Sequence, residues 1–434
     1  MTDYTDTQKI MMTLAALAAT GATQRPSGET LKEQRDRIKA GITARLAEER
    51  LATGTKWSLI WVGLTKNRAN LAYIAKGPDD GGSVYALVLR GTVMGDPIDQ
   101  AEDMDVGELL DFTAGNTRRG LAWMPRISQG AMEAFTNLVM GMDTGDQLLD
   151  QLKRLSPNTL YVVGHSLGGA MATTVALFLR KQIQDKALSI NSIRPYTFAA
   201  PTAGNDTFAF RLDDTVSTYN KYDLIPHAWD ALTTVIDPTS ANYYPFYPNP
   251  PGPTAAETPD VVKLIAAIAN KVPNPNPYVQ PGRPGSILND GPRPQFQPYP
   301  AGATEMDKFM LQVAHQHQSD TYLKLMGAPV IVPDPLAPPV PVIAKVESAS
   351  AAWGETVTIT AHAGHFTEDC RVDFGVLPAE IDKSKSTKTM LVVTVPDGGY
   401  GTVDVRVTNN FGTSAVVPNQ LYTHCNDRFT FTTP

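Results

Sequence analysis

The chain has 434 residues, 42% of them hydrophobic and 19% charged, a composition of soluble globular proteins and a length that suits two or three domains. Its formal net charge is -7, and no Lys/Arg run is dense enough to follow a phosphate backbone, so no nucleic acid partner is expected and anionic membranes are poor electrostatic targets. The two cysteines, Cys370 and Cys425, form no C-x-x-C pair and cannot make a thiolate zinc or iron–sulfur site; they either form one disulfide or stay as two buried thiols.

Residues 8 to 50 read as helices. The apolar stretch Met11 to Thr20 follows Asp3 and Asp6 with only Lys9 to offset them. A secretory signal needs a positive leading region, so the expectation is a cytoplasmic or non-classically secreted protein. Ile10, Leu14, Leu17 and Ala18 are spaced for a helix packed on a core. No segment approaches the roughly 20 apolar residues of a membrane span, so no stable membrane insertion is expected.

Strand-like runs follow at Ser58 to Gly63, Ala69 to Ala75 and Val84 to Leu89, punctuated by Gly and Asp. From residue 129 helix and strand alternate: helix at Gln129 to Met142, strand at Leu160 to Val163, helix at Leu167 to Gln184, strands at Arg194 to Ala199 and Ser217 to Tyr219. That alternation predicts a largely parallel sheet covered on both faces, an α/β class fold. Residues 238 to 300 hold sixteen of the 34 prolines and read as an irregular insertion. Within it Pro259 to Lys271 is helical, with Thr258 as cap, Asp260 in the first turn and a broad apolar face that suits a cap over a pocket.

A second proline-rich stretch, 329 to 341, reads as a stiff linker. Beyond it the apolar period drops to two, in Val357 and Ile359, Val372 and Phe374, Leu391 to Val395, and Val403, Val405 and Val407. Turn signals at Asp397-Gly398-Gly399 and Asn409-Asn410 separate the runs, which predicts a small antiparallel β-sandwich over 342–434.

Chemistry concentrates at Gly164-His165-Ser166-Leu167-Gly168, a G-x-S-x-G pentapeptide between an apolar strand and a helix with a small-residue start. A serine on so sharp a turn needs small neighbours two residues away on either side, a pattern that fits the nucleophile elbow of α/β-hydrolases; the plainer reading is a tight Gly turn with an incidental serine. Such a serine needs a base, and the base an orienting acid, in chain order Ser, Asp/Glu, His. Asp223 lies just past a strand, where active sites of such sheets sit. His227 is placed to line the site. His315 and His317 end the same region; two apart on a helix, they cannot both face the serine. For the oxyanion, the Leu167 amide heads a helix, and Thr92, after Val84 to Leu89, offers an amide and a hydroxyl.

Arg90-Gly91-Thr92, GHSLGGA at 164–170, TFAAPTAGN at 197–205, NKYDLIP at 220–226 and His317 followed by Tyr322-Leu323 resemble, in order, the motifs of the class 3, fungal-type lipases over roughly residues 50 to 327. The resemblance implies an α/β-hydrolase domain over 1–328. It implies a triad of Ser166, Asp223 and His317, with His315 the alternative base, and an oxyanion hole of Thr92 and Leu167. Asp103 resembles the residue that supports the oxyanion loop. The family usually carries an arginine where Thr202 stands, and its lid position, here Val93 to Asp99, is neither helical nor very apolar. The β-rich region resembles IPT/TIG immunoglobulin-like domains through Trp353 to Ile359, Val372 to Gly375 and Val403 to Asn409, which implies a spacer or a module for protein or dimer contacts.

The expectation is therefore a carboxylic ester hydrolase acting on acylglycerols or other fatty-acyl esters, with no cofactor and no metal. Phospholipase, feruloyl esterase and polyester depolymerase are alternatives on the same site, and a binding protein with a vestigial hydrolase domain is the non-catalytic rival.

Overall fold

The computed structural model describes residues 4–19, 29–65, 70–78, 82–91, 105–116, 123–142, 147–237, 259–282, 286–287, 304–331, 341, 343–361, 366–409, 412–414 and 428–432. Thr92, Asp103, the lid position 93–99 and Cys425 lie outside the described residues, as does most of the linker and much of the insertion. The chain divides into two compact units: Met1–Ala22 with Leu31–Ile331, and Thr23–Thr30 with Val332–Pro434.

The first unit opens with helices α1 (Asp6–Ala18) and α2 (Leu31–Leu46). A reciprocal Thr5–Gln8 box caps α1. Every residue from Met11 to Ala18 is buried, so this helix is covered all round rather than along one stripe. It lies against the central strands, and the Tyr73 hydroxyl donates to the Leu14 carbonyl. Strands β1 (Ser58–Leu64), β2 (Leu71–Lys76) and β3 (Val84–Leu89) form an antiparallel meander. A short ribbon follows, of β4 (Leu109–Asp111) and β5 (Arg126–Ser128), and then helices α3 (Gln129–Met140) and α4 (Leu148–Leu155). The chain re-enters the sheet at β6 (Thr159–His165), crosses over by α5 (Leu167–Gln184) to β7 (Ser192–Phe198), and by α6 (Asp206–Phe210) to β8 (Val216–Tyr219).

After the described part of the insertion, α7 (Pro259–Ala269) and β9 (Ser286–Ile287), come α8 (Glu305–His317) and α9 (Ser319–Leu325). The sheet order is β1-β2-β3-β6-β7-β8-β9, parallel from β3 onward. Parallel strands buried on both faces explain the near-continuous apolar runs Leu87–Leu89 and Val162–Val163, which separate two cores above and below the sheet.

The second unit contains β10 (Ile343–Glu347), β11 (Ser350–Ala352), β12 (Thr356–Ala361), β13 (Arg371–Phe374), β14 (Leu377–Ile381), β15 (Met390–Thr394), β16 (Gly401–Asn409), β17 (Gly412–Thr413) and β18 (Arg428–Thr432). They form a hydrogen-bonded path β10-β12-β15-β14-β13-β16-β18-β11, with β17 on β16. The expected all-antiparallel pairing is corrected in one place: β11 runs parallel to β18. Alternate residues such as Val357, Ile359, Val405, Val407, Phe429 and Phe431 point into a single core, as the period of two requires. Cys370 is buried there, its Sγ accepting from the Thr367 amide at 3.3 Å, and it forms no disulfide among the described residues.

Candidate active site

Ser166 lies between the end of β6 and the start of α5 with φ 61° and ψ −135°, outside the regions that L-residues ordinarily occupy. Two glycines make the turn possible. A Cβ on Gly164 would sit 2.0 Å from the Gly168 carbonyl oxygen, and one on Gly168 would sit 2.3 Å from the Leu89 carbonyl oxygen. The Ser166 amide donates to the Phe198 carbonyl at 3.0 Å, tying the elbow to β7. The serine hydroxyl is thereby lifted to the C-terminal end of the parallel strands.

His317 is the last residue of α8, whose first turn is held by a reciprocal Thr304–Asp307 box. Its Nε2 lies 2.8 Å from Ser166 Oγ and its Nδ1 lies 2.8 Å from Asp223 Oδ2. These contacts come from His317. His315, two residues earlier and about 200° around the helix, lies near Lys324, and burial holds its imidazole below the ordinary value.

Asp223 follows β8 and is fully buried. Its Oδ1 accepts from the Ile225 amide at 3.0 Å, and its Oδ2 accepts from the Tyr322 hydroxyl at 2.7 Å. Tyr322, on α9, accepts in turn from the Asn220 amide at 3.0 Å. Asn220 Nδ2 donates to Gln316 Oε1 at 2.7 Å and to the Gln316 carbonyl at 3.2 Å. A network of buried polar groups therefore fixes both the loop that carries Asp223 and the helix end that carries His317. Sequence reasoning missed Gln316, which is fully buried together with Gln312 one helical turn before it; no local pattern marks a glutamine there as buried.

His165, inside the pentapeptide, stacks on this assembly. Its ring centroid is 4.9 Å from that of His317 and 5.4 Å from that of Tyr322. His227 is buried with its ring 6.0 Å from Tyr219; burial lowers its pKa and the Asp223 charge partly offsets this. Leu167 opens α5, where first-turn amides lack intrahelical carbonyl partners. A Cβ on Gly91 would stand 2.7 Å from the His165 carbonyl oxygen and 3.2 Å from Ser166 Cβ, so Gly91 lies beside the serine. Thr202 is buried, and its hydroxyl meets no hydrogen-bond partner among the described residues.

The insertion braces the site. Helix α7 buries Val261 and Ile265 against Leu224, Leu232, Val235, Phe309 and Val313, which flank Asp223 or lie on α8. Farther on, Asn276 Nδ2 donates to the Trp229 carbonyl, the Tyr278 hydroxyl to the Val106 carbonyl and Gln280 Nε2 to the Ala200 carbonyl, at 2.8, 2.8 and 2.7 Å. The Gln280 amide donates to Asp230 Oδ2 at 3.3 Å, and burial pushes that carboxyl from 3.8 up to about 6. Among the described residues no cluster of His, Cys, Asp and Glu could hold a metal ion, and no helix is long and apolar enough to cross a membrane.

Residues 86–232 match the family model described as Lipase (class 3). That span contains Ser166 and Asp223, while His317 lies beyond it. The lipase of Rhizomucor miehei is 36% identical over 84 residues, which cover 18% of this chain and 23% of that lipase, so the chain spans about a quarter of that relative's length. The crystal structure of M37 lipase superposes with a TM-score of 0.54 at 21% identity, covering 75% of this chain and 93% of that one. That likeness shows the fold, an α/β-hydrolase. The native Rhizomucor miehei lipase propeptide complex covers 51% of this chain and 62% of its own at 20% identity, with a TM-score of 0.34.

Proposed function

We propose that this protein is a serine carboxylic ester hydrolase with Ser166 as nucleophile, His317 as general base and Asp223 as the acid that orients it. The observation that carries this reading is the unbroken relay from Ser166 Oγ through both nitrogens of His317 to Asp223, with 2.8 Å at each step. The match of residues 86–232 to class 3 lipases supports it.

In this mechanism His317 Nε2 takes the hydroxyl proton as Ser166 Oγ attacks the ester carbonyl carbon. Asp223, held by Tyr322 and the Ile225 amide, keeps the Nδ1 proton in place and stabilises the imidazolium. The Leu167 amide and Thr92 donate to the oxyanion, and Asp103 supports the loop that carries Thr92. The intermediate collapses, the alcohol leaves with the proton from His317, and water activated by the same imidazole releases the acid from the acyl-enzyme.

The substrate class we infer is acylglycerols or other fatty-acyl esters. We read the second unit as an IPT/TIG-like immunoglobulin-type module that serves as a spacer or contact surface, a reading that its alternating buried strands support. The test is a panel of p-nitrophenyl esters of rising chain length, a triacylglycerol emulsion, phospholipid vesicles, a feruloyl ester and a polyester film. Preference for the acylglycerol and long-chain esters is expected. Turnover confined to the feruloyl ester, the phospholipid or the polyester would overturn the substrate class, and no turnover of any ester would overturn the reaction.

A further inference from the structure

We propose that His165 is a positioning residue for His317, a role that rests on the reading of His317 as the base. His165 is the last residue of β6, one position before the nucleophile, so the elbow itself fixes its backbone. Its ring lies 4.9 Å from the His317 ring at 42°, and it meets the Tyr322 ring edge-on at 5.4 Å and 88°. His317 and Tyr322 are the two side chains that hold Asp223 Oδ2. His165 therefore occupies the corner between them and blocks both rings from swinging away from the carboxylate.

Nε2 of His165 is buried and meets no hydrogen-bond partner among the described residues. An unsatisfied buried nitrogen is a cost that a phenyl ring would avoid, so what the side chain contributes at this corner is the packing of its ring against His317 and Tyr322.

Burial, and next the nearby His317, hold the His165 imidazole well below its ordinary pKa, with the His317 backbone pulling weakly the other way. A neutral ring here adds no repulsion to the imidazolium that His317 becomes during turnover.

The test compares kcat and KM on a soluble short-chain p-nitrophenyl ester for wild type, His165→Ala, His165→Asn and His165→Phe, each first checked for wild-type circular dichroism and Tm. His165→Ala is expected to lower kcat by about 10- to 100-fold, the scale of a base displaced by about an ångström, with little change in KM. His165→Phe keeps the ring and is expected to recover part of kcat, whereas His165→Asn lacks it and is expected to fall with His165→Ala. A folded His165→Ala with wild-type kcat, a loss confined to KM, or no recovery by Phe would overturn the proposal. Should His165→Ala not fold, wild-type kcat in His165→Asn would overturn it, and a kcat lower in Asn than in Phe would support it. A wild-type protein inert to esters and to a fluorophosphonate would instead strike at the hydrolase reading beneath it.

Discussion

The two compact units bury polar groups in opposite ways. In the first, Asn220, Asp223, Gln312 and Gln316 are all fully buried, and Asn220, Asp223, Gln316 and Tyr322 are joined in one network. In the second, the core is built from Val, Ile and Phe, with Phe374, Phe429 and Phe431 in mutual edge-on and tilted contact. Its buried carboxylate, Asp404, lies 3.5 Å from Arg428 at the rim of β16 and β18. An apolar core of that kind is the cheaper way to hold a fold together, because a buried polar network costs desolvation unless every member is satisfied. The contrast teaches that the buried polar network around Asp223, set between the apolar cores of the first unit, is kept for position, and the apolar interior of the second for stability.

The largest expected effect follows from breaking the polar side of that contrast. Asp223→Asn keeps shape but loses the charge and favours the wrong imidazole tautomer, so kcat should fall on the order of 10⁴-fold, as for the equivalent change in serine proteases. Steady-state rates on a soluble ester check this, and a drop under tenfold would mean that Asp223 does not orient the base. Next comes the apolar side. Phe429→Ala should destabilise the second unit by about 3–5 kcal/mol, the usual cost of removing a core phenyl. Calorimetry should show the loss, while kcat on the same soluble ester should stay within about twofold; a parallel loss of kcat would deny that the two interiors are energetically separate.

A smaller effect sits where the two roles meet. The folded-state pKa of Asp230 is raised to about 6 from 3.8, so its buried charge opposes folding above pH 6. The penalty grows as pH rises from 4 to 6, and it is absent below the unfolded value. Asp230→Asn should therefore raise stability at pH 7 by roughly 2–3 kcal/mol and leave it nearly unchanged at pH 3.5. Denaturant melts at the two pH values check this; equal effects at both would mean the shift in Asp230 is not what matters.

What the sequence made legible follows distance along the chain. The elbow at 164–168 is local, and its strand, glycines and helix can be read in one window. The Asp223 loop is nearly as local, being marked by the end of β8. The pairing of His317 with Asp223 spans 94 residues and came from chain order and family resemblance; periodicity alone left His315 open. The Asn220–Gln316–Tyr322 network could not be read at all, since it exists only once α8 and α9 dock on the loop after β8. Helix α1 was legible as a helix, but not as one buried on every side, because its small and apolar residues give no polar face to show the difference. The parallel pairing of β11 with β18 joins strands nearly 80 residues apart, and no local signal marks it. The apolar face of α7 suits a cap, and in the structure its Val261 and Ile265 pack on the segments around Asp223 and on α8, contacts that no pattern within the helix names.

The central claim is that Ser166 is the activated nucleophile, and covalent labelling tests it most directly. The intact protein is treated with a fluorophosphonate at neutral pH, digested and mapped by mass spectrometry, with Asp223→Asn in parallel. One stoichiometric adduct on Ser166 is expected, formed far more slowly in Asp223→Asn. Ester hydrolysis that persists with Ser166 unlabelled, or an adduct on a different serine, would contradict it.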